Sequence, residues 1–517
     1  MNDRVINDRA HLLSRDHLAA LTPAFDILPY AEAQIHRCLA VQEEGGLLLI
    51  ADPESAAHLI PWADAYLGRP FTLAFAAAAD IAAVLADYGE GMLAMDALAP
   101  AAAPDEAAGD EGIESLSLDS IHSQSSAIVR LTNSTLYDAY KAGASDIHLE
   151  SSGEGLRVKY RLDGVLSPIA EPAGVQTAEQ VISRIKVMAE LDISERRVPQ
   201  DGRFKVRINQ REVDFRVSVM PSIHGEDAVL RILDKSALTD QMSSLTLDAL
   251  GFRPEMMRQV RRLAREPYGM FLVTGPTGSG KTTTLYAVLS EVNTGRDKII
   301  TIEDPVEYQL PDVLQIPVNE KKGLTFAKGL RSILRHDPDK ILVGEIRDAE
   351  TAQIAIQSAL TGHLVFSTVH ANNAFDVISR FRHMAVAPQS FVSAINGILA
   401  QRLVRLNCPQ CTVPAHPDAA LIADSGLTES DVAGFDFRQG SGCPHCRGSG
   451  YKGRRAVVEL LRLDDDMREL IVAEAPLRQL REEAERSGMR DIRAAALDLV
   501  RDGLSTLEEI NRVTFVA

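Results

Sequence analysis

The spacing of apolar positions changes character several times along the chain, and each change marks a different piece of structure. Residues 1–97 set short apolar patches such as Leu47-Leu48-Leu49-Ile50 between breaks at Asp52-Pro53 and Gly68-Arg69-Pro70, which predicts a small mixed α/β module. From Ile128 through Leu131, Thr135 and Ala139 the spacing is helical and stops near Gly143. The run Leu156 to Leu162 then alternates apolar with basic residues and meets a turn at Asp163-Gly164. Phe204 to Ile208 and Val213 to Val219 repeat that period of two around a short polar break. Each strand therefore has an apolar face and a basic one, with Arg157, Lys159 and Arg161, or Arg216, on the latter. Residues 123–240 are predicted to form an α+β domain.

Past a polar hinge at Ser236 to Ser244 and an Arg-rich helix from Pro254 to Arg265, the pattern changes again. Met270 to Val273, Ile299 to Ile302, Ile341 to Val343 and Leu364 to Thr368 are almost wholly apolar and are separated by helical stretches. Buried runs alternating with helices predict a parallel sheet covered on both faces, with ligand chemistry at the carboxyl ends of its strands. Residues 241–517 are thus expected to be an α/β domain.

Composition adds a linker and narrows the function. Residues 98–122 run from Ala101-Ala102-Ala103-Pro104 into six acidic residues with no Lys or Arg, a composition that predicts a flexible tether. The 517 residues are too many for one core and suggest about three domains. A formal net charge of −18 argues against general nucleic-acid binding, which is built on Lys and Arg neutralising phosphates. The charged stretch Met1 to Leu13 predicts no signal peptide. The longest apolar stretch, Leu73 to Ala86, contains Asp80 and is shorter than the roughly 20 residues a spanning helix needs. The expectation is a cytosolic chain or one peripheral to a membrane.

The candidate chemistry centres on Gly275-Pro276-Thr277-Gly278-Ser279-Gly280-Lys281-Thr282, between an apolar strand and a helix that begins around Thr283. Glycines let backbone N–H groups close around a phosphate, and the helix start adds partial positive charge. Lys281 is expected on the β and γ phosphates and the Thr282 hydroxyl on Mg²⁺, with residues 275–283 as the ATP-binding set. Glu303 and Glu345 follow two of the apolar strands directly, so both are placed near the phosphates, one holding Mg²⁺ through water and the other orienting the attacking water. For Asp304 and Asp348 a helix N-cap or a surface salt bridge fits as well as a role at the phosphates. His363 and His370 bracket a strand of about 23 Å at about 3.3 Å per residue, too far apart to share a metal, and His370 at the carboxyl end is the candidate for the γ phosphate. Between the acidic strands, Thr325 to Arg335 predicts an amphipathic helix with Lys328, Arg331 and Arg335 as a basic stripe, suited to arginine fingers.

Four of the five cysteines fall into two pairs, Cys408-Pro-Gln-Cys411 and Cys443-Pro-His-Cys446, separated by 31 residues. That spacing predicts one tetrahedral Zn²⁺ site in a subdomain over 404–456. Cys-Pro-His-Cys alone also fits a thiol oxidoreductase, but glycines flank the second pair in place of a thioredoxin-like βαβ unit.

Taken in order, Arg197 to Arg203, the phosphate loop, Thr301 to Glu307, Ile341 to Asp348 and Thr361 to His370 resemble the secretion ATPase superfamily, with its Walker A, Asp box, Walker B and His box. Over about 123–517 the chain is similar to the type II secretion assembly ATPases of the general secretion pathway protein E family, and Gly143 to His148 and Ala400 to Arg405 add to the likeness. The resemblance implies a RecA-like P-loop ATPase core preceded by a PAS-like α+β domain. It implies a homo-hexameric motor, peripheral to the inner membrane, whose first module docks on the cytoplasmic domain of the L-type inner-membrane component, with the F-type platform protein and acidic phospholipid as further candidates and no nucleic acid. By position it assigns Arg203 and Arg216, and Arg331, Arg335 and Arg347, to nucleotide or a subunit boundary. A type IV pilus extension ATPase shares every motif, and a nucleic-acid translocase or a non-hydrolysing scaffold remain as other classes.

Overall fold

A computed structural model describes residues 12–91 other than 26, 29, 44 and 45, then 114–117, 120–121, 126–234 other than 210, and 246–516. The chain divides into two compact units, Met1–Asp234 and Lys235–Ala517. The hinge expected at Ser236 to Ser244 and much of the linker expected at 98–122 lie outside the described residues.

In the first unit, Cys38–Glu43, Gly46–Ala51 and Phe71–Phe75 form a three-stranded sheet, antiparallel at the first pairing and parallel at the second. The parallel step needs a crossover, which the helix Ala56–Leu67 supplies, ending on Gly68 in the left-handed region. A second, seven-stranded sheet runs in the order Glu114–Leu116, Gln200–Ile208, Arg211–Ser222, Gly225–Leu233, Asp146–Ser151, Leu156–Leu162 and Val165–Ala170. Asp163 and Gly164 both take positive φ, 47° and 84°, the backbone that a tight two-residue hairpin requires. Alternate residues of the strands, among them Val158, Tyr160, Phe215 and Val217, share a core with the helices Ala127–Ala142 and Val175–Met188.

The linker expectation fails at its C-terminal end. Glu114–Leu116 is an edge strand parallel to Gln200–Ile208, and Leu116 and Ile121 are buried in the second core. Glu114 accepts from Asn133 at 2.7 Å and pairs with Arg184 at 2.6 Å. Two apolar anchors and one paired carboxylate outweigh an acidic composition that, averaged over the run, hides them.

The second unit is built on a sheet in the order Leu314–Pro317, Ile299–Glu303, Lys340–Val343, Leu364–Val369, Gly269–Thr274, Ile395–Asn407 and Tyr451–Arg462. All pairings are parallel except the last. Met270 and Leu272 face one core and Phe271 and Val273 another, the period of two expected of a sheet covered on both sides. Residues 408–450 are inserted between the two antiparallel strands and carry a ribbon of Thr412–Pro414 with Arg438–Gly440. The bounds 404–456 are therefore too wide for the cysteine subdomain, because Val404 and Ala456 belong to the main sheet, whose last register pair is Asn407 with Tyr451. Among the described residues no helix is long and apolar enough to cross a membrane.

Candidate functional site

The strand Gly269–Thr274 is buried throughout, leads into Gly275, and is followed by the helix Lys281–Val292. Gly278 and Gly280 take φ of 77° and 84°, where a side chain would strain the loop, and a Cβ on Gly275 would stand 2.4 Å from the Gln401 carbonyl oxygen. Pro276, Thr277 and Gly278 are left exposed. Lys281 donates from Nζ to the carbonyls of Gly275 and Pro276, each at 3.0 Å. Burial pushes its ammonium below the ordinary lysine value, while Glu345 opposes that shift and Arg402 adds to it. A desolvated cation answered by two carbonyls is well placed for an anion. Buried Ser279 Oγ has no hydrogen-bond partner, so the loop also offers an unused polar group, and these features fit the phosphates of a nucleotide. Thr282 lines the same cleft as Lys281, Glu303, Glu345, Thr368 and His370, and its hydroxyl and the nearby carboxylates suit Mg²⁺. Thr283, next in the helix, hydrogen-bonds through its side chain to Tyr308.

The two glutamates share the cleft but not the environment. Glu345 accepts from Arg347 on Oε1 and meets His370 Nε2 at 3.1 Å on Oε2, and its side chain is 13% exposed. Glu303 is 3% exposed and held by neutral donors, namely the Tyr286 hydroxyl, Thr301 Oγ1 at 2.5 Å and Gln315 Nε2 at 3.1 Å. Burial first, and then the Glu303 charge, hold the Tyr286 hydroxyl far above its ordinary range, so it stays a donor. Tyr286 and Gln315 had no place in the sequence reading. The available signal was a tyrosine inside the fully buried run Leu285 to Leu289, since a buried phenol requires a polar partner.

The remaining candidates are scattered. Asp348 caps the helix Ala349–Leu360, accepting from Thr351 N at 2.8 Å, while Asp304 lines the cleft. His363 lies at the other end of its strand, against the Ser358 carbonyl at 3.0 Å. Thr325 caps the short helix Phe326–Ile333. Arg331 is paired with Glu350 at 2.7 Å and Arg335 donates to the Arg331 carbonyl, and neither lines the cleft. Arg203 and Arg216 belong to the first unit, where they are direct cross-strand register partners, and Arg216 is also opposite Arg231. Arg231 has Asp146 at 2.9 Å, whereas Arg203 and Arg216 have no carboxylate among the described residues.

Cys408, Cys411, Cys443 and Cys446 converge, with all four Sγ atoms within 4.8 Å of one another. The separations Cys408–Cys443, Cys411–Cys446 and Cys443–Cys446 are 3.8, 3.7 and 3.7 Å. Four sulfurs about 2.3 Å from a tetrahedral Zn²⁺ stand about 3.8 Å apart, so the set fits the metal and is too open for disulfides. Burial opposes the Cys446 thiolate, but the N–H groups of Cys443 and Gly450, at 3.2 and 3.3 Å, outweigh it and bring the thiol down to about 6.

A family model described as Type II/IV secretion system protein matches residues 122–512. The type II secretion system ATPase E of Vibrio cholerae is 47% identical over 389 residues, 75% of each chain. The type II secretion system protein HxcR of Pseudomonas aeruginosa is 40% identical across 94% of this chain and 99% of its own. The type IV pilus assembly ATPase PilB of Acinetobacter baylyi is 45% identical over 75% of this chain and 66% of its own. Among solved structures, the Legionella pneumophila ATPase DotB aligns with a TM-score of 0.53 at 19% identity, over 74% of this chain and 95% of its own, which is a likeness of fold alone. With the phosphate loop, the two cleft glutamates and the four cysteines in one unit, and a match over most of its length, the chain belongs to the type II/IV secretion system protein family.

Proposed function

We propose that the chain is an ATP-hydrolysing motor that works as a homo-hexamer and energises pseudopilus assembly and protein export in a type II secretion system. The observation that carries this is the cleft itself, where a buried Lys281 at the carboxyl end of a parallel sheet faces Glu345, which is bracketed by Arg347 and His370. The phosphate loop binds the phosphates through backbone N–H groups and Lys281. Mg²⁺, when bound, neutralises charge on the β and γ phosphates, with Thr282 and a cleft carboxylate as its candidate ligands. Glu345 orients the attacking water, since its two oxygens are held by Arg347 and His370 beside the cleft. Glu303, fixed by Tyr286, Thr301 and Gln315, shapes the acidic wall. His370 contacts Glu345 and follows the state of the γ phosphate. Zn²⁺ held by the four cysteines is structural.

Two arginines of the first unit support the hexamer. Arg203 and Arg216 sit exposed with no carboxylate partner among the described residues, and arginine brought across a subunit boundary is worth about 10³ to 10⁵ in rate in other phosphoryl-transfer systems. The likeness to HxcR reaches through the first module, which supports the secretion reading over pilus extension. That module, residues 1–97, docks the motor to the cytoplasmic domain of the L-type inner-membrane component, at the cytoplasmic face of the inner membrane. Specific ATPase activity against protein concentration, with and without fusion to a hexameric carrier, tests this: turnover per chain should rise steeply on assembly, and a flat profile overturns the hexameric motor.

A further inference from the structure

The strand Ile395–Asn407 runs beside the phosphate-loop strand and carries a buried amide, Gln401, 1% exposed. A buried amide needs partners for both its oxygen and its nitrogen. Both partners here belong to the phosphate-loop segment. Gln401 Nε2 donates to the Ser279 carbonyl at 2.7 Å, and Gln401 Oε1 accepts from Thr284 Oγ1 at 2.7 Å. Ser279 lies two residues before the helix Lys281–Val292 and Thr284 in its first turn, so one side chain spans the junction between loop and helix. The fit is tight: a Cβ on Gly280 would stand 2.9 Å from Gln401 Nε2.

We infer that Gln401 is a positioning residue that sets the phosphate loop for nucleotide, an inference that rests on the ATPase reading of this cleft. A peptide unit is planar and trans, so its C=O and the following N–H point in opposite directions. Holding the Ser279 carbonyl toward Gln401 therefore fixes the Gly280 N–H to point away from it. Gly280 has no side chain to restrict this peptide and sits at φ of 84°, so without the clamp the plane is free to rotate. A loop that binds phosphate through backbone N–H groups depends on that plane being preset. Because the clamp presets the empty loop and then holds it alike in the ground and transition states, its loss is expected in binding more than in the chemical step.

The test uses the full chain and two probes, a fluorescent ADP analogue and Mg-ATP turnover, with Gln401→Leu, Thr284→Val and the double variant. Gln401→Leu should raise the ADP Kd and the KM for ATP about tenfold, the scale of one lost buried hydrogen bond. Its kcat should stay within about threefold of the parent chain. Thr284→Val should raise both constants less, and the double variant should bind no worse than Gln401→Leu alone, because Thr284 acts through Gln401. Folded Gln401→Leu with unchanged Kd and KM, a loss confined to kcat, or additive single effects would each overturn the inference. If Gln401→Leu does not fold, Thr284→Val decides alone, raised constants supporting the clamp and unchanged ones overturning it. The ADP arm needs no hydrolysis, so a parent chain that binds ADP without turning over ATP sinks the motor reading and still measures the clamp.

Discussion

The cleft of the second unit and the basic face of the first unit's large sheet treat charge in opposite ways. In the cleft each key group already has a partner from its own chain: Lys281 has two carbonyls, Glu345 has Arg347 and His370, and Glu303 has three neutral donors. On the sheet, Lys159 and Arg231 find carboxylates on adjacent strands, but Arg203 and Arg216 face each other. Like charges directly opposite destabilise a strand pair. A site with internal partners can be assembled by one chain, whereas an unanswered cationic pair gains stability only from an anion brought to it.

The largest expected break in this contrast is at Lys281. Lys281→Ala should reduce ADP affinity by about 10²-fold or more, read by calorimetry, because the loop loses its only buried cation and keeps its carbonyls. Unchanged affinity would mean that the internally partnered lysine is structural. Glu345→Gln should bind nucleotide as before but hydrolyse it about 10³-fold more slowly in steady-state assays, within the range for a positioned base. Arg203→Ala and Arg216→Ala should lower turnover of the assembled form about 10²-fold while leaving ADP binding by the dilute chain alone. Their thermal midpoints should hold or rise slightly, since a repulsive pair is relieved. Equal losses in dilute and assembled protein would erase the distinction between the two regions.

Two smaller effects extend the comparison to the C-terminal part of the second unit. Metal analysis of reduced protein should find one zinc per chain, and its removal should lower the stability of the cysteine lobe while ADP affinity stays within about twofold. The second concerns Glu509. Burial opposes its charge, but donors from Arg512 and Arg405 outweigh it and hold the carboxyl below its ordinary value of 4.5. A depressed folded value stabilises the fold fully above the unfolded one, and the benefit is lost as pH falls through the folded value. Thermal midpoints should therefore drop below pH about 4.5, and Glu509→Gln should remove that part of the slope.

Local chemistry was legible in the sequence wherever a short pattern has one physical reading. Asp163-Gly164 makes its turn, Gly143 ends its helix in the left-handed region, and the almost wholly apolar strands place Glu303 and Glu345 on the cleft. Pairing across the chain was not legible. That Arg203 lies opposite Arg216 follows from strand register, and that Tyr286 holds Glu303 follows from a helix crossing a strand, neither of which a linear pattern specifies. Glu114–Leu116 was hidden for a related reason, since its value as a strand comes from the edge it completes. The basic stripe of Arg331 and Arg335 was read at the correct spacing, yet Glu350, a neighbour only in three dimensions, takes up Arg331.

The insertion of 408–450 between paired strands has an evolutionary consequence. Asn407 and Tyr451 are register partners, and the Cys408 N–H reaches the Gly450 carbonyl at 2.9 Å, so the lobe enters and leaves the sheet through a single narrow neck. Across such a neck the two chain ends are about 5 Å apart, a gap that a turn of a few residues closes. The cysteine lobe is more than a graft on that neck, because Leu421, Ile422, Leu427, Phe435 and Phe437 also pack against Val404, Val457 and the C-terminal helices: a descendant that sheds it keeps the register of the sheet but has to cover that apolar surface anew.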